Sequence, residues 1–138
     1  MTAAREIMNK HVESVSENET VDVAAKRMRD GDVGALLVTG KDGALRGMVT
    51  DRDIVTGCIA SGHDPAKCTV ATLAQDRPVV VEVSAGLDEV LATMGDNRIR
   101  RVPVTDKGAL VGVIGISDLV DTAGHDRIGA VMAQIVAV

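Results

Sequence analysis

The sequence predicts an α/β (α+β) protein made of two copies of one strand–helix–strand–strand–helix unit. The two copies are expected to pack about a pseudo-two-fold axis, with a further helix at the C-terminus. Three observations predict this. GMVTDRDIV at 47–55 returns as GVIGISDLV at 112–120. When residues 21–55 are laid over 87–120 with one gap near Gly40, eleven positions are identical, among them Asp22/Asp88, Met28/Met94, Val38/Val104, Gly47/Gly112 and Asp53/Asp118. Many of the rest exchange like for like, such as Val33/Ile99, Val49/Ile114 and Ile54/Leu119, so the chain carries an internal repeat.

Each copy has the same order of signals. A β-rich run comes first, VESV at 12–15 and VVVEV at 79–83, followed by Ser16 and Ser84 as turn or cap residues. Val21, Ala24, Ala25 and Met28 then fall at helical spacing, and DGD at 30–32 stops that helix. Leu87, Val90, Leu91 and Met94 do the same in the second copy, which ends at 95–97. ALLV (35–38) and VPV (102–104) read as buried strands. KDG (41–43) and DKG (106–108) are hairpin turns in which glycine supplies a positive φ. LRGMVT and LVGVIG are the returning strands, and DRDIVTGCIA (51–60) and SDLVDTA (117–123) the closing helices.

One such unit leaves its sheet face uncovered, so two copies form a single compact module. Residues 1–69 are assigned to the first motif with its N-terminal segment and linker, 70–123 to the second, and 124–138 to the C-terminal helix. REIMNK (5–10) and VATLAQD (70–76) are matching short helices ahead of each copy. In the tail, Ile128, Val131, Met132, Ile135 and Val136 form one apolar stripe, which is expected to contribute to a homodimer seam.

Composition narrows the function. The net charge is −5, with no basic tail, which argues against a nucleic-acid partner. There is no Phe, Tyr or Trp to stack on a base, so a bound nucleotide would rest on aliphatic walls and backbone hydrogen bonds. No apolar run approaches the roughly 18 residues of a membrane span, and MTAAREIMNK lacks a signal-peptide core, so a cytoplasmic protein without a membrane partner is expected. Cys58, His63 and Cys68 fit no common zinc spacing, so no metal site is expected and Cys58 reads as core packing. No nucleophile–base grouping, paired acid/base carboxylates or phosphate loop appears, so no catalytic residue is assigned.

The phrase Gly47-x-x-Thr50-x-x-Asp53, its partner Gly112 with Asp118, and IRRVPV (99–104) followed by DKGALVGVI (106–114) resemble the CBS-domain family in its tandem arrangement, the Bateman module. The resemblance covers about residues 7–122. It implies a non-catalytic regulatory module with no required cofactor. Such modules take an adenosine-containing regulatory ligand, such as AMP, ADP or ATP, in clefts between the motifs, form homodimers and act on a further, unidentified protein. Carried over, Asp53 would bind ribose hydroxyls and Thr50 a phosphate in one cleft, and Asp118, with Ser117 beside it, would serve the other. Val33, Gly34 and Ala35, and Ile99, Arg100 and Arg101, would line the clefts beside the strand entries Val12 and Val79.

The residues themselves allow two readings of the first site. A strand ending at Thr50 and a helix starting before Asp53 would aim unpaired first-turn amides at a phosphate, and Arg100 and Arg101 would add charge-assisted contacts. The same spacing is a capping box, which needs no ligand. In the second copy Gly115 replaces the hydroxyl residue, and the offset of Ser117 is wrong for the phosphate contact, so two unequal sites are expected. The competing function is a stress-response or structural interaction protein with vestigial, ligand-free clefts.

Overall fold

The computed structural model describes residues 2–74 and 78–137. Met1, the end of the expected 70–76 helix and the last tail residue, Val138, lie outside the described residues. In chain order the elements begin with helix α1 (Ala4–Ile7), strand β1 (Ser14–Ser16), helix α2 (Val21–Gly31), strands β2 (Ala35–Thr39) and β3 (Leu45–Thr50), and helix α3 (Asp51–Ile54), which runs on as a π-helical turn over Val55–Ile59. They continue with strand β4 (Val81–Glu82), helix α4 (Leu87–Asn97), strands β5 (Arg101–Asp106) and β6 (Ala109–Gly115), helix α5 (Val120–Ala123) and helix α6 (His125–Val136).

The described residues form a mixed α/β fold with two three-stranded sheets of one design. β1 pairs parallel with β2, and β2 antiparallel with β3; β4, β5 and β6 repeat this order. A parallel pair needs a crossover, which α2 and α4 supply. Both hairpins shift register at the same repeat position, between Val38 and Thr39 and between Val104 and Thr105. The hairpin turns carry φ of +75° at Gly43 and +87° at Gly108, as their sequence requires.

The two crossover helices, α2 and α4, form and stop for the same reasons. Val21, Ala24 and Met28 place one buried stripe on α2; Val90, Leu91 and Met94 do so on α4. Each ends on a residue in the left-handed region, Asp32 (φ 53°) and Arg98 (φ 54°). The next amide then bonds back, Val33 N to Met28 O at 3.0 Å and Ile99 N to Met94 O at 3.0 Å, so the last carbonyls are satisfied. Ser16 and Ser84 are not the caps. Ser16 Oγ accepts the Asn18 amide in a turn, and the helices start instead from the caps Thr20 and Gly86.

The chain forms two compact units, residues 13–78 and residues 1–12 with 79–138. Sequence order groups the N-terminal segment with the first copy, but hydrogen bonds hold it on the second. Ala4 N donates to Ala85 O (2.8 Å), Arg5 N to Val83 O (3.0 Å) and Asn9 N to Val113 O (2.8 Å). The segment ahead of the second copy mirrors this on the first, with Val70 N donating to Glu19 O (2.8 Å) and Ala71 N to Glu17 O (3.0 Å). Ala4 and Val70 are both fully buried, so each leader segment plugs the core of the copy it does not precede.

Seven buried positions in each core are repeat-equivalent. In the first-copy unit they are Val15, Ala24, Met28, Leu36, Val38, Val49 and Ile54. In the other they are Val81, Val90, Met94, Val102, Val104, Ile114 and Leu119. The C-terminal stripe lies on its own unit: Val131 is buried in that core, with Ile128 and Ile135 packed against it, while Val136 is 56% exposed. Most of the face expected at a dimer seam is therefore covered within the chain, because α4 offers it an apolar partner.

Candidate functional site

The first-copy site is a strand-to-helix turn. Register pairs Thr50, the last residue of β3, with Ala35, the first of β2, so the two ends lie side by side. Gly34 precedes Ala35, and its carbonyl accepts the Asp51 amide at 2.9 Å. At the start of α3 the Asp53 amide donates to Thr50 Oγ1 (3.1 Å), and the Thr50 amide donates to Asp53 Oδ2 (2.9 Å), a complete capping box. Thr50 and Asp53 are half-buried and Gly34 is exposed. Val33 is half-buried, packed against the first-copy core.

One expectation is corrected here. The first-turn amides are not left open for phosphate. Asp51 N bonds Gly34 O, Arg52 N bonds its neighbour Asp51 Oδ1 (2.8 Å), and Asp53 N bonds Thr50 Oγ1. The chain satisfies its own helix start because TDRD carries three short oxygen side chains in four residues. What the turn can offer a ligand is side-chain chemistry. Thr50 Oγ1 accepts one bond and retains a hydrogen to donate, and the Asp53 carboxylate accepts more than one bond.

The second copy repeats the backbone but not the side chain. Arg101 pairs with Gly115, and Ile116 N donates to Arg100 O at 2.8 Å, matching Asp51 to Gly34. Gly115 N donates to Asp118 Oδ2 at 2.8 Å, so half of the box survives. Gly115 sits at φ −96°, ψ 155°, an extended conformation open to any residue. A Cβ built there would meet Asp118 Oδ2 at 3.4 Å, Ser117 Oγ at 3.7 Å and Arg101 Cγ at 3.9 Å, ordinary contact distances. The hydroxyl is therefore absent without any steric demand for glycine. Arg100, Arg101, Ser117 and Asp118 are exposed, and Ile99 is half-buried against the second-copy core.

The structure thus brings Thr50, Asp53, Gly34 and Ala35 together, and likewise Arg100, Arg101, Gly115, Ser117 and Asp118. Val12 is half-buried and Val79 is 39% exposed; each lies two residues ahead of the first strand of its copy, and both belong to the unit of the second copy. Sequence reasoning missed Asp51. Its carboxylate stands 3.2 Å from where a Gly34 Cβ would be, so an acidic group overhangs the entrance to β2. The signal was the second acid in TDRD. Cys58 is fully buried in the first-copy core, as its helix position predicts. Among the described residues, no group of three or more His, Cys, Asp or Glu side chains is placed to hold a metal ion. No described helix is long and apolar enough to cross a membrane.

Comparison with known proteins agrees with this architecture. The family model described as CBS domain matches residues 4–59 and 70–124. Hypoxic response protein 1 of Mycobacterium tuberculosis is 44% identical over 119 residues, 86% of this chain and 83% of that protein. A crystal structure of Hypoxic Response Protein I with two coordinated zinc ions superposes with a TM-score of 0.75 at 42% identity, covering 87% of this chain and 98% of that one. The CBS domain-containing protein YhcV of Bacillus subtilis is 32% identical over 136 residues, 98% of this chain and 96% of that protein. CBSX2, crystallised in complex with AMP, shares the fold at a TM-score of 0.71 and 23% identity, covering 89% of this chain and 96% of that one. With both copies matched and the duplicated sheet-and-helix order in place, the chain belongs to the CBS-domain family and carries two CBS domains.

Proposed function

We propose that this protein is a non-catalytic regulatory module that binds an adenosine-containing ligand at the Thr50–Asp53 turn and signals the bound state to a partner protein. The observation that carries this reading is the placement of a hydroxyl donor and a carboxylate on one turn, beside an exposed glycine at the mouth of β2. A carboxylate accepts from vicinal ribose hydroxyls and a threonine hydroxyl donates to a phosphate oxygen. The missing aromatics leave the base to aliphatic and backbone contacts. The site at Gly115–Asp118 is the weaker, since its turn lacks the hydroxyl. Signalling requires that the ligand bind two arrangements of the module with different affinity. The module acts as a homodimer, supported by Val55 and Ile59, which stand 57% and 54% exposed on the segment that follows Asp53.

The test is a circular-dichroism melt of the full chain against AMP, ADP, ATP, S-adenosylmethionine and NADH, with calorimetric titration of any hit. A ligand at about 100 times its Kd adds roughly 2.7 kcal/mol, a rise of several degrees. One member of the panel is expected to do so.

A second reading, an interaction protein with ligand-free clefts, is favoured by one observation: the amides at the start of α3 are bonded within the chain. A flat panel together with a dimeric mass in light scattering would select it.

A further inference from the structure

The repeat places unlike side chains on one backbone. Ala35 pairs with Thr50 and Arg101 with Gly115, and residues directly opposite in an antiparallel pair point to the same face of the sheet. The first copy therefore sets a methyl beside a hydroxyl, and the second sets an arginine beside a bare glycine. A Cβ built on Gly115 would lie 3.9 Å from Arg101 Cγ and 3.4 Å from Asp118 Oδ2, so the arginine stem and the carboxylate flank the place of the missing hydroxyl. The extended backbone there does not call for glycine; what glycine provides is room beside Arg101. One residue earlier the contrast is in charge. Gly34 O accepts Asp51 N at 2.9 Å and Arg100 O accepts Ile116 N at 2.8 Å, so Gly34 and Arg100 hold equivalent positions. A Cβ on Gly34 would meet Asp51 Oδ2 at 3.2 Å, so an acid overhangs this position in the first copy. The second copy has Ile116 in place of that acid and an arginine at the position itself. Over residues 33–35 and 50–53 the first copy carries two acids and one arginine; over 99–101 and 115–118 the second carries two arginines and one acid. Arg100 and Arg101 are exposed, and among the described residues neither guanidinium has an ion-pair partner.

Resting on the reading of both turns as adenosine-ligand sites, we propose that they sort ligands by phosphate number: the Gly115–Asp118 turn is selective for a nucleoside polyphosphate, and the Thr50–Asp53 turn is not. At the second turn Asp118, which accepts one bond from Gly115 N, has acceptor capacity left for ribose hydroxyls. Arg101 and Arg100 donate to the di- or triphosphate tail, whose oxygens match the planar guanidinium fork. The tail runs through the room that glycine leaves beside Arg101. At the first turn the Thr50 hydroxyl serves a single phosphate, and each further phosphate would meet the Asp51 carboxylate, a like charge, at the mouth of β2. The second turn is thus the weaker for a monophosphate, and the arginine pair reverses that order for a triphosphate. Both guanidinium groups are exposed, so the selectivity falls as salt rises.

The test is calorimetric titration of the full chain with AMP and with ATP at low salt. Asp53→Ala silences the first turn and Asp118→Ala the second, so each is read alone. With the first silenced, ATP is expected to bind about tenfold tighter than AMP, the effect of one charge-assisted contact. Adding Arg101→Gln should cancel most of that preference, and raising the salt should shrink it. With the second silenced, ATP should bind no tighter than AMP. Should Asp53→Ala fail to fold, Arg101→Gln in the unaltered chain gives the same answer, since it replaces an exposed side chain: ATP is expected to weaken about tenfold and AMP by less than about twofold. The double variant Arg101→Ala with Gly115→Thr, which copies the first turn into the second, should lose the ATP preference. The same ATP preference at both turns, or unchanged ATP affinity in Arg101→Gln, would overturn the proposal while adenosine binding stands. Binding of neither nucleotide to the unaltered chain would overturn the adenosine reading itself and the proposal with it.

Discussion

Thr50 and Asp53 are bonded to each other twice, whereas their counterparts Gly115 and Asp118 are bonded once. The difference is one hydroxyl, and it makes the two copies unequal both as helix starts and as candidate binding turns. It also means that a ligand at the first site must share Thr50 and Asp53 with the cap, so stability and affinity have to be separated by mutation.

Thr50→Ala removes the hydroxyl from both roles. It is expected to cost about 1 kcal/mol of stability through the lost cap and to weaken nucleotide binding roughly tenfold through the lost donor. Thr50→Ser should restore both. Asp53→Ala is expected to weaken binding by about tenfold to a hundredfold, since a bond to a charged acceptor is lost. Calorimetric titration with the hit from the melt panel measures this, and unchanged affinity for Asp53→Ala would remove the ribose assignment.

Gly115→Thr tests the same logic in reverse. The backbone is extended there and a Cβ meets only ordinary contacts, so the side chain fits. The variant should complete the second box and raise stability by about 0.5–1 kcal/mol in urea unfolding. A drop in stability would show that the turn cannot place the hydroxyl over the Asp118 amide.

The helix ends offer a gain that touches no site. Arg98 closes α4 at φ 54°, where a Cβ costs roughly 1 kcal/mol. Arg98→Gly is expected to raise the melting temperature by a few degrees, less the greater freedom of glycine in the unfolded chain. Circular dichroism is enough to detect it.

Asp22 carries a pH dependence. The Thr20 hydroxyl donates to its carboxylate and holds its carboxyl below the usual aspartate range, against a smaller opposing push from burial. The folded value lies below the unfolded one. The stabilisation is therefore fully present above about pH 4 and is lost as pH falls through the folded value. Asp22→Asn should lower stability at neutral pH and narrow the gap to the unaltered chain as the solution is acidified, measured by urea unfolding at both ends.

The C-terminal helix separates packing from assembly. Val131→Asp places a charge in the second-copy core and is expected to cost more than 2 kcal/mol. Val136→Asp, at 56% exposed, should change chain stability by less than about 0.5 kcal/mol. If it also shifts the mass in light scattering, the outer edge of α6 belongs to a dimer seam.

Periodicity and turn chemistry made much of this protein readable in one dimension. The duplication, the helical stripes on α2 and α4, the hairpin glycines and the Thr50-x-x-Asp53 box are all set by interactions within a few residues, so local sequence specifies them. The burial of Cys58 follows from its helix position in the same way. Three things depended on contacts far apart in the chain. The leader segments exchange partners, Ala4 bonding to Ala85 and Val70 to Glu19, because buried backbone groups must pair and the turns after β4 and β1 offer open carbonyls. The first amide of α3 is bonded at long range, since Gly34 O lies beside Asp51 N only once β2 and β3 pair. Val131, Ile128 and Ile135 of α6 lie on the core that α4 helps to build. Spacing reports which faces are apolar and which residues can cap a helix; it does not report which distant surface lies against them, because that is decided by burial of the whole chain at once.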